Sequence, residues 1–179
     1  MKILGIDPGT GICGFGVIEV YDRNKKPSQS EKKSTVVNSV YLGKPKMIDC
    51  GVIATPPHTP LPERLLDIYN SLHEIIKINQ PDCISIEKLF FMQNISTGIS
   101  VAEARGIVLL VAKQEKLPIF EYSPNEIKKA MTGYGHANKK QMQEMVKLHL
   151  GLKEIIKPDD AADALAAAIT HSLISKVDL

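Results

Sequence analysis

The chain opens with two apolar segments separated by a short turn rich in glycine and proline, and this feature restricts the fold more than any other. Residues 3–7 (ILGID) have the composition of a short buried strand, and residues 14–20 (GFGVIEV) have that of a second strand. Between them, residues 8–11 (PGTG) contain the two residue types that favour the backbone angles of a turn. This order predicts a β-hairpin.

The chain after the hairpin alternates between strand and helix patterns. Apolar residues at i, i+3, i+4 and i+7 spacings predict an amphipathic helix that starts at Pro62 and ends before Pro81. Further strands are predicted at residues 47–54, 83–87 and 118–122, and further helices at about 97–116, after the capping box at 123–126 (SPNE), at about 138–150 and at about 158–175. Three early strands followed by alternating helix and strand predict an α/β fold, with a five-stranded mixed sheet (three antiparallel strands, two parallel) flanked by helices on both faces.

The length and composition indicate one folded domain over residues 1–179. An apolar fraction of 44% and a charged fraction of 23% exclude a disordered chain. Residues 22–46 are polar and rich in lysine, and we interpret them as an exposed loop insertion, because the chain before them is too short to fold alone. The net charge of +2 excludes a polybasic protein but not a nucleic-acid partner, since a local patch of charge is enough for binding.

The cysteines and the apolar runs indicate the compartment. No apolar run approaches the roughly 18 residues of a membrane span, so no membrane partner is expected. Cys13, Cys50 and Cys83 are an odd, widely spaced set without a C-x-x-C pair. They fit a reducing cytoplasm and argue against a disulfide framework or a cysteine-based zinc site.

Four carboxylates stand at positions where the predicted fold can bring them together. Asp7 ends the first strand and Glu87 the fourth, and these strands should be neighbours at the sheet centre. Asp160 and Asp163 lie three residues apart at the start of the last helix and therefore share a face. Carboxylates this crowded raise each other's pKa unless cations offset the repulsion. Two Mg²⁺ or Mn²⁺ ions about 3.5–4 Å apart would do so and would support phosphodiester cleavage.

Each of these acids also has an ordinary structural interpretation. An aspartate after a strand is usually a turn residue, and two in a first helical turn usually cap the helix or complement its dipole. Asp163 argues for the functional alternative, because it lies within the otherwise apolar stripe of residues 161–169, where a carboxylate is costly without a cation or charged partner. Glu87 similarly closes the buried run of residues 83–86.

Several segments resemble, in the same order and over nearly the whole chain, the motifs of the RuvC-type Holliday-junction resolvases. They are ILGIDPGT at residues 3–10, GFGVI at 14–18, ISIEKLF at 84–90, ARG at 104–106, PIFEY at 118–122, DAADAL at 160–165, and His171. Any one of these motifs is weak, but the ordered set is specific. Residues 22–46 are longer than the usual connection in that family.

The resemblance implies a ribonuclease H-like fold and a homodimer that resolves four-way DNA junctions by symmetric, Mg²⁺-dependent nicks with 5′-phosphate ends, in recombination and repair. It implies catalytic and metal-binding roles for Asp7, Glu87, Asp160 and Asp163, with two Mg²⁺ ions per active site and Mn²⁺ as a substitute. Asp159 leaves open which of two adjacent acids is the primary ligand. A bacterial, nucleoid-associated protein of the cytoplasm is implied, and a contact with the RuvA–RuvB branch-migration complex stays open.

The resemblance also implies DNA-binding residues. Residues 89–92 (LFFM) contain two phenylalanines, of which Phe90 matches a family aromatic that probes bases at the junction. The alternative is that both are buried. Lys128 and Lys139 match basic residues near the scissile phosphate, and the adjacent Lys129 and Lys140 could serve instead. The alternative is that these lysine pairs form solvated helix faces.

Two further residues are candidates for structural roles. His171 lies about two helical turns after Asp163 and could face the same side, but we favour a packed helix residue over a metal ligand. Whether it supports a ligand indirectly is left open. Arg105, in a helix of small residues, is expected to pair with a carboxylate.

Three other functions compete with junction cleavage. Residues 7–11 (DPGTG) resemble the phosphate loop of the actin, Hsp70 and sugar-kinase group, which suggests an ATP-dependent phosphotransferase. Those proteins enclose nucleotide between two domains, whereas 179 residues allow one. The second is an RNA-processing nuclease of the same fold. The third is a non-catalytic junction-binding protein, against which the presence of all four acids argues.

Overall fold

The computed structural model describes residues 1–20, 45–89 and 95–175, and of residues 95–97 it describes the backbone alone. Every predicted strand and helix is present, with bounds that differ by a few residues. In chain order the elements are β1 (Lys2–Asp7), β2 (Ile12–Glu19), β3 (Lys46–Ala54), α1 (Leu61–Asn79), β4 (Cys83–Glu87), α2 (Ile95–Gln114), β5 (Ile119–Tyr122), α3 (Pro124–Thr132), α4 (Lys139–Leu150) and α5 (Asp159–Ile174).

The five strands form one mixed sheet in the order β3-β2-β1-β4-β5. β2 pairs antiparallel with both β1 and β3, whereas β4 pairs parallel with both β1 and β5. The predicted sheet is thereby confirmed, including the central position of β1 beside β4. The register places Asp7 opposite Gly14 and Ile6 opposite Ile86.

Alternate residues of the strands supply two hydrophobic cores, one on each face. Leu4 and Ile6 pack in a cluster with Ile68 of α1 and Val108 of α2. On the opposite face Ile3 packs in a cluster with α3, α4 and α5. Because side chains of a strand point alternately to its two faces, β1 buries apolar groups under both helical layers. Helices on both faces were predicted and are confirmed.

Helix α5 lies unusually close to β1 and β2, because glycines face it. A Cβ atom on Gly5 would stand 1.9 Å from the carbonyl oxygen of Ala164, and one on Gly14 would stand 2.0 Å from that of Asp160. Alanine-rich α5 brings little bulk to this contact, and its residues from Ala161 to Ser172, Asp163 aside, are buried. The first turn of α5 is consequently held against the carboxyl end of β1.

Capping boxes fix the two short helices beside α5. The Ser123 hydroxyl accepts a hydrogen bond from the Glu126 amide (3.2 Å), and the Glu126 carboxylate accepts one from the Ser123 amide (2.7 Å). This box was predicted. A second box, between Asn138 and Gln141, starts α4 and was not. Each box satisfies amides that would otherwise lack partners.

The long polar loop predicted at about 22–46 lies outside the described residues, apart from its last two positions. There Lys46 already belongs to β3, since it pairs with Glu19, so this strand starts one residue earlier than predicted. All three cysteines are free thiols, as expected. Within the described ranges, no helix combines the length and the hydropathy needed to cross a membrane.

Candidate active site

Asp7 and Glu87 lie side by side at the carboxyl ends of the two central strands. The parallel register ends with Ile6 paired to Ile86, and Asp7 and Glu87 are the next residues of the two strands. Gly5 and Ser85, two residues earlier, both face α5: Gly5 touches its backbone, and the Ser85 hydroxyl donates a hydrogen bond to one of its carbonyls (2.7 Å). Residues two apart in a strand share a face. Both carboxylates therefore lie on the α5 side of the sheet.

Helix α5 brings the other two carboxylates to the same edge. The backbone of Asp160 lies against Gly14, the residue paired with Asp7. Asp163 follows one turn later, immediately before Ala164, whose carbonyl lies against Gly5. The four acids predicted from the sequence thus converge from three separate parts of the chain.

The electrostatics of Asp7 show how closely the carboxylates are coupled. Burial and, after it, the negative charges of three carboxylates raise the pKa of Asp7 from 3.8 to about 7. The three are Asp163, Glu87 and Asp160, in that order of effect. At neutral pH the cluster is therefore partly protonated, which reduces its negative charge, unless a cation is bound there.

Two other members of the cluster are shifted in the same direction. Burial is the main cause that raises the pKa of Glu87, and the charge of Asp163 adds to it. Burial likewise raises the pKa of Asp163, with smaller contributions from Asp159 and Asp160. Desolvation and like charge thus act together on one group of acids.

Asp159 differs from its neighbour Asp160. Its side chain is 48% exposed and forms an ion pair with Lys139 (2.9 Å between Nζ and Oδ2). Its other carboxylate oxygen accepts a hydrogen bond from the Gln143 amide (2.7 Å). The hydrogen bond from Lys139 is the main cause that lowers the pKa of Asp159. Asp159 is already satisfied by protein groups, whereas Asp160 contributes to the charge around Asp7.

Of the four lysines predicted to bind DNA, two are coupled to the carboxylates. The charge of Lys139 lowers the pKa of Asp7 and Asp163, and that of Lys128 lowers the pKa of Glu87. Lys129 is exposed on α3, and Lys140 lines a shallow pocket between α3 and α4. The predicted base-probing residue, Phe90, lies outside the described residues.

The donor set fits a divalent cation. Within residues 1–20, 45–89 and 95–175, no three side chains of His, Cys, Asp or Glu are already closed around an ion position. The converging groups are nevertheless all carboxylates, the oxygen donors that Mg²⁺ and Mn²⁺ prefer. Burial first and the neighbouring carboxylates second raise the pKa values of Asp7 and Asp163, and the charge of Lys139 offsets only part of this rise. A divalent cation would remove that penalty.

His171 is packed against β5, as we favoured from the sequence. Its side chain is buried, and Nδ1 lies 2.7 Å from the Tyr122 hydroxyl. Its ring stacks on Phe120 with 4.0 Å between centroids. Tyr122 is the strand partner of Glu87, so this contact ties the strand beside Glu87 to α5. Both the segment 118–122 and His171 were recognised in the sequence, but the contact between them was not predicted. Arg105 forms an ion pair with Glu121, as expected.

A polar network beneath the turn that follows Asp7 escaped the sequence analysis. The Thr55 hydroxyl donates to the Thr10 carbonyl (2.5 Å) and accepts from Arg64 Nε (2.8 Å). The Thr10 hydroxyl lies 2.8 Å from that of Ser100. These residues lie in separate segments of the chain, so no local pattern links them. The only available signal was a threonine within the glycine turn.

Comparison with known proteins gives consistent matches over most of the chain. The family model for crossover junction endodeoxyribonuclease RuvC matches residues 26–171. A protein of that name from Desulfitobacterium hafniense is 47% identical over 172 residues, which are 96% of this chain and 92% of that protein. One from Thermotoga petrophila is 44% identical over 176 residues, covering 98% of this chain and 94% of that protein.

Solved structures agree with these matches. Thermus thermophilus RuvC, in complex with a Holliday junction substrate, superposes with a TM-score of 0.83 at 31% identity, covering 99% of this chain and 96% of that one. The yeast mitochondrial Holliday junction resolvase has a TM-score of 0.60 at 14% identity, covering 95% of this chain and 77% of that one. The second likeness shows the fold alone.

Proposed function

The chain belongs to the RuvC family of crossover junction endodeoxyribonucleases, and we propose that its four converging carboxylates are the catalytic site. The protein is a phosphodiester hydrolase that resolves Holliday junctions during recombination and repair. The observation that carries the assignment of the site is the meeting of Asp7, Glu87, Asp160 and Asp163 at one sheet edge, where the pKa of Asp7 reaches about 7.

The family depends on divalent metal, and we propose two Mg²⁺ ions per active site, replaceable by Mn²⁺. The four carboxylates would hold these ions, whose chemistry would be to activate water as the nucleophile and to stabilise the leaving 3′ oxygen, giving products with 5′-phosphates. The chain's own contribution is to hold four carboxylates on rigid strands and a helix. Because α5 packs directly on Gly5 and Gly14, the helix turn that carries Asp160 and Asp163 lies against the strand ends.

The lysines beside the carboxylates supply positive charge for the substrate. Lys139 and Lys128 lie close enough to lower carboxylate pKa values, and we propose that both contact phosphates near the cut. Asp159 holds the ammonium of Lys139 in place through their ion pair. Lys129 and Lys140 are proposed to contact the DNA backbone farther out. Phe90 remains our candidate for base contact beside the cut.

The assembly we propose is a homodimer. One chain offers one carboxylate cluster, whereas a four-way junction needs two symmetric cuts, which a two-fold dimer supplies. We further propose that residues 1–179 form one domain in a bacterial cytoplasm, associated with the nucleoid. Contact with a RuvA–RuvB complex stays a prediction. The phosphotransferase and RNA-processing alternatives are not supported, since the matches are to junction endonucleases.

Two adjacent aspartates provide a matched test of the site. We expect D160N, like D7N, E87Q and D163N, to cut a synthetic four-way junction in Mg²⁺ at least about 100-fold more slowly, while still binding it. D159N removes the same charge one residue away but only releases the ammonium of Lys139, so it should slow cleavage clearly less than D160N does. Cleavage is measured on denaturing gels with and without EDTA. Wild-type rates for D7N and E87Q would refute the assignment.

A further inference from the structure

Among the described residues, the side chain of Arg64, in the first turn of α1, forms a hydrogen bond through one nitrogen only. Its Nε donates to the Thr55 hydroxyl at 2.8 Å. Among residues 1–20, 45–89 and 95–175, no carboxylate oxygen lies within 4.0 Å of the Arg64 guanidinium. Arginine has five N–H donors and is always charged, so a half-buried guanidinium without an anionic neighbour favours an anion as its partner.

The position of this guanidinium relates it to the carboxylate site. Ala54, at the end of β3, pairs with Ile12, the first residue of β2, so Thr55 and the start of α1 lie at the sheet edge where Asp7 ends β1. One terminal nitrogen of Arg64 lies 3.3 Å from where a Cβ of Gly11 would stand. Arg64 is therefore beside the turn that follows Asp7.

The support under Arg64 is rigid. The Thr55 amide donates to the Gly11 carbonyl (3.0 Å), and the Thr55 hydroxyl donates to the Thr10 carbonyl (2.5 Å). Thr10 and Thr55 are each only 7% exposed. Thr10 is joined in turn to Ser100 of α2. A guanidinium fixed in this way loses little conformational freedom on binding, and its planar fork matches two oxygens of a phosphate.

We propose that Arg64 binds a backbone phosphate of the junction DNA, on the α1–α2 side of the Asp7 turn. This inference rests on the proposed function and extends it. Lys128 and Lys139 belong to α3 and α4, on the opposite face of the sheet. With Arg64, the sheet edge has cationic donors on both sides of Asp7, so that the cut strand can be held from two faces. The turn that follows Asp7 lies between Arg64 and the carboxylates, so we expect Arg64 to bind a phosphate other than the scissile one.

The test compares R64Q with K77Q, in metal-free buffer, by fluorescence anisotropy of a labelled four-way junction. Lys77 lies in the last turn of the same helix, at the other end of α1. Loss of one phosphate contact should reduce the slope of log affinity against log salt by about 0.9, or about 0.7 for single strands. We expect this reduction and a roughly tenfold weaker affinity at low salt for R64Q, and neither for K77Q.

A second arm removes the phosphate charge instead of the protein charge. Single phosphates of the junction are replaced by neutral methylphosphonates, and R64K serves as the variant that keeps the charge but loses the fork and the bond to Thr55. We expect one replacement to weaken binding by the wild type and K77Q but not by R64Q, with R64K intermediate. If R64Q does not fold, the effect of each methylphosphonate on the wild type and on R64K still tests whether Arg64 binds a phosphate.

The outcomes separate the two proposals. The role of Arg64, but not the proposed function, would be overturned by two results together. R64Q, K77Q and the wild type would have equal salt slopes, and no methylphosphonate would weaken binding by the wild type while leaving R64Q unaffected. A wild-type protein that binds the junction no better than a duplex would instead overturn the proposed function. Cleavage is not needed for either readout, since binding is measured without divalent metal.

Discussion

At the scale of single residues, the site is defined by acids whose burial and crowding make them costly in the absence of a cation. Asp7 shows this most clearly, because its neighbours and its burial raise its pKa to about 7. The pKa of an unfolded aspartate is near 3.8. The folded, metal-free protein therefore binds a proton at Asp7 that the unfolded chain releases between these pH values.

This difference predicts how stability depends on pH. A raised pKa in the folded state contributes stability below about pH 4 that is lost as the pH rises through about 7. Metal-free wild type should lose several degrees of melting temperature over that range, and D7N should lose less, because an amide does not titrate. Mg²⁺ should restore the wild type and not D7N.

The measurement is thermal unfolding in EDTA and in Mg²⁺ at several pH values. D67N, which alters an exposed carboxylate on α1, is the matched control and should follow the wild type. A D7N protein with the pH dependence of the wild type would contradict the coupling inferred at Asp7.

The sequence predicted these four acids but not the choice between adjacent residues. Asp159 and Asp160 are adjacent in the sequence, which does not distinguish them. In the structure the backbone of Asp160 packs on Gly14 beside the carboxylates, whereas the side chain of Asp159 pairs with Lys139. The same holds for the lysine pairs, because successive helix residues point about 100° apart. Long-range contacts such as that of Thr10 with Ser100 have no local pattern from which to be predicted.

At the scale of elements, the decisive contact is between α5 and the β1–β2 hairpin. Strands and helices were predictable because hydrophobic periodicity and turn residues are local signals. The closeness of this contact was not, because it depends on glycines of the hairpin meeting alanines from a distant helix. The space at Gly5 is so small that a Cβ atom built on this glycine would lie 1.9 Å from the Ala164 carbonyl oxygen.

This contact predicts opposite effects for two glycine-to-alanine substitutions. G5A should destabilise the fold by about 2–3 kcal/mol and slow cleavage further by displacing the acids of α5. G106A, within α2, has nothing within 4 Å of the new methyl group and should be neutral or stabilising by up to about 1 kcal/mol. Urea unfolding and junction cleavage are measured for both. Equal stability of the two variants would contradict the packing described here.

At the scale of the whole molecule, one sheet carries both halves of the site. The antiparallel half delivers Asp7 and the parallel half delivers Glu87, so the carboxylates meet where the two halves join. The mixed sheet and its helical layers were predictable from element order alone. The surface of the proposed dimer was not, since it has no periodic signal.

The proposed dimer predicts a specific result when active and inactive chains are mixed. Wild type and a tagged D7N D160N protein are refolded together and the mixed dimers isolated by the tag. These should nick the junction on one strand, while wild-type dimers cut two strands symmetrically. Product lengths on denaturing and native gels distinguish the cases. Full two-strand resolution by the mixed species would show that one cluster is sufficient.

The late position of α5 has a consequence for the cell. Half of the acidic set, Asp160 and Asp163, is translated well after the sheet that receives it. On the proposed assignment of the site, a chain truncated before that helix carries only Asp7 and Glu87 and is expected to leave DNA uncut. On the same proposal, nuclease activity is expected only after α5 has been synthesised and has packed on the sheet.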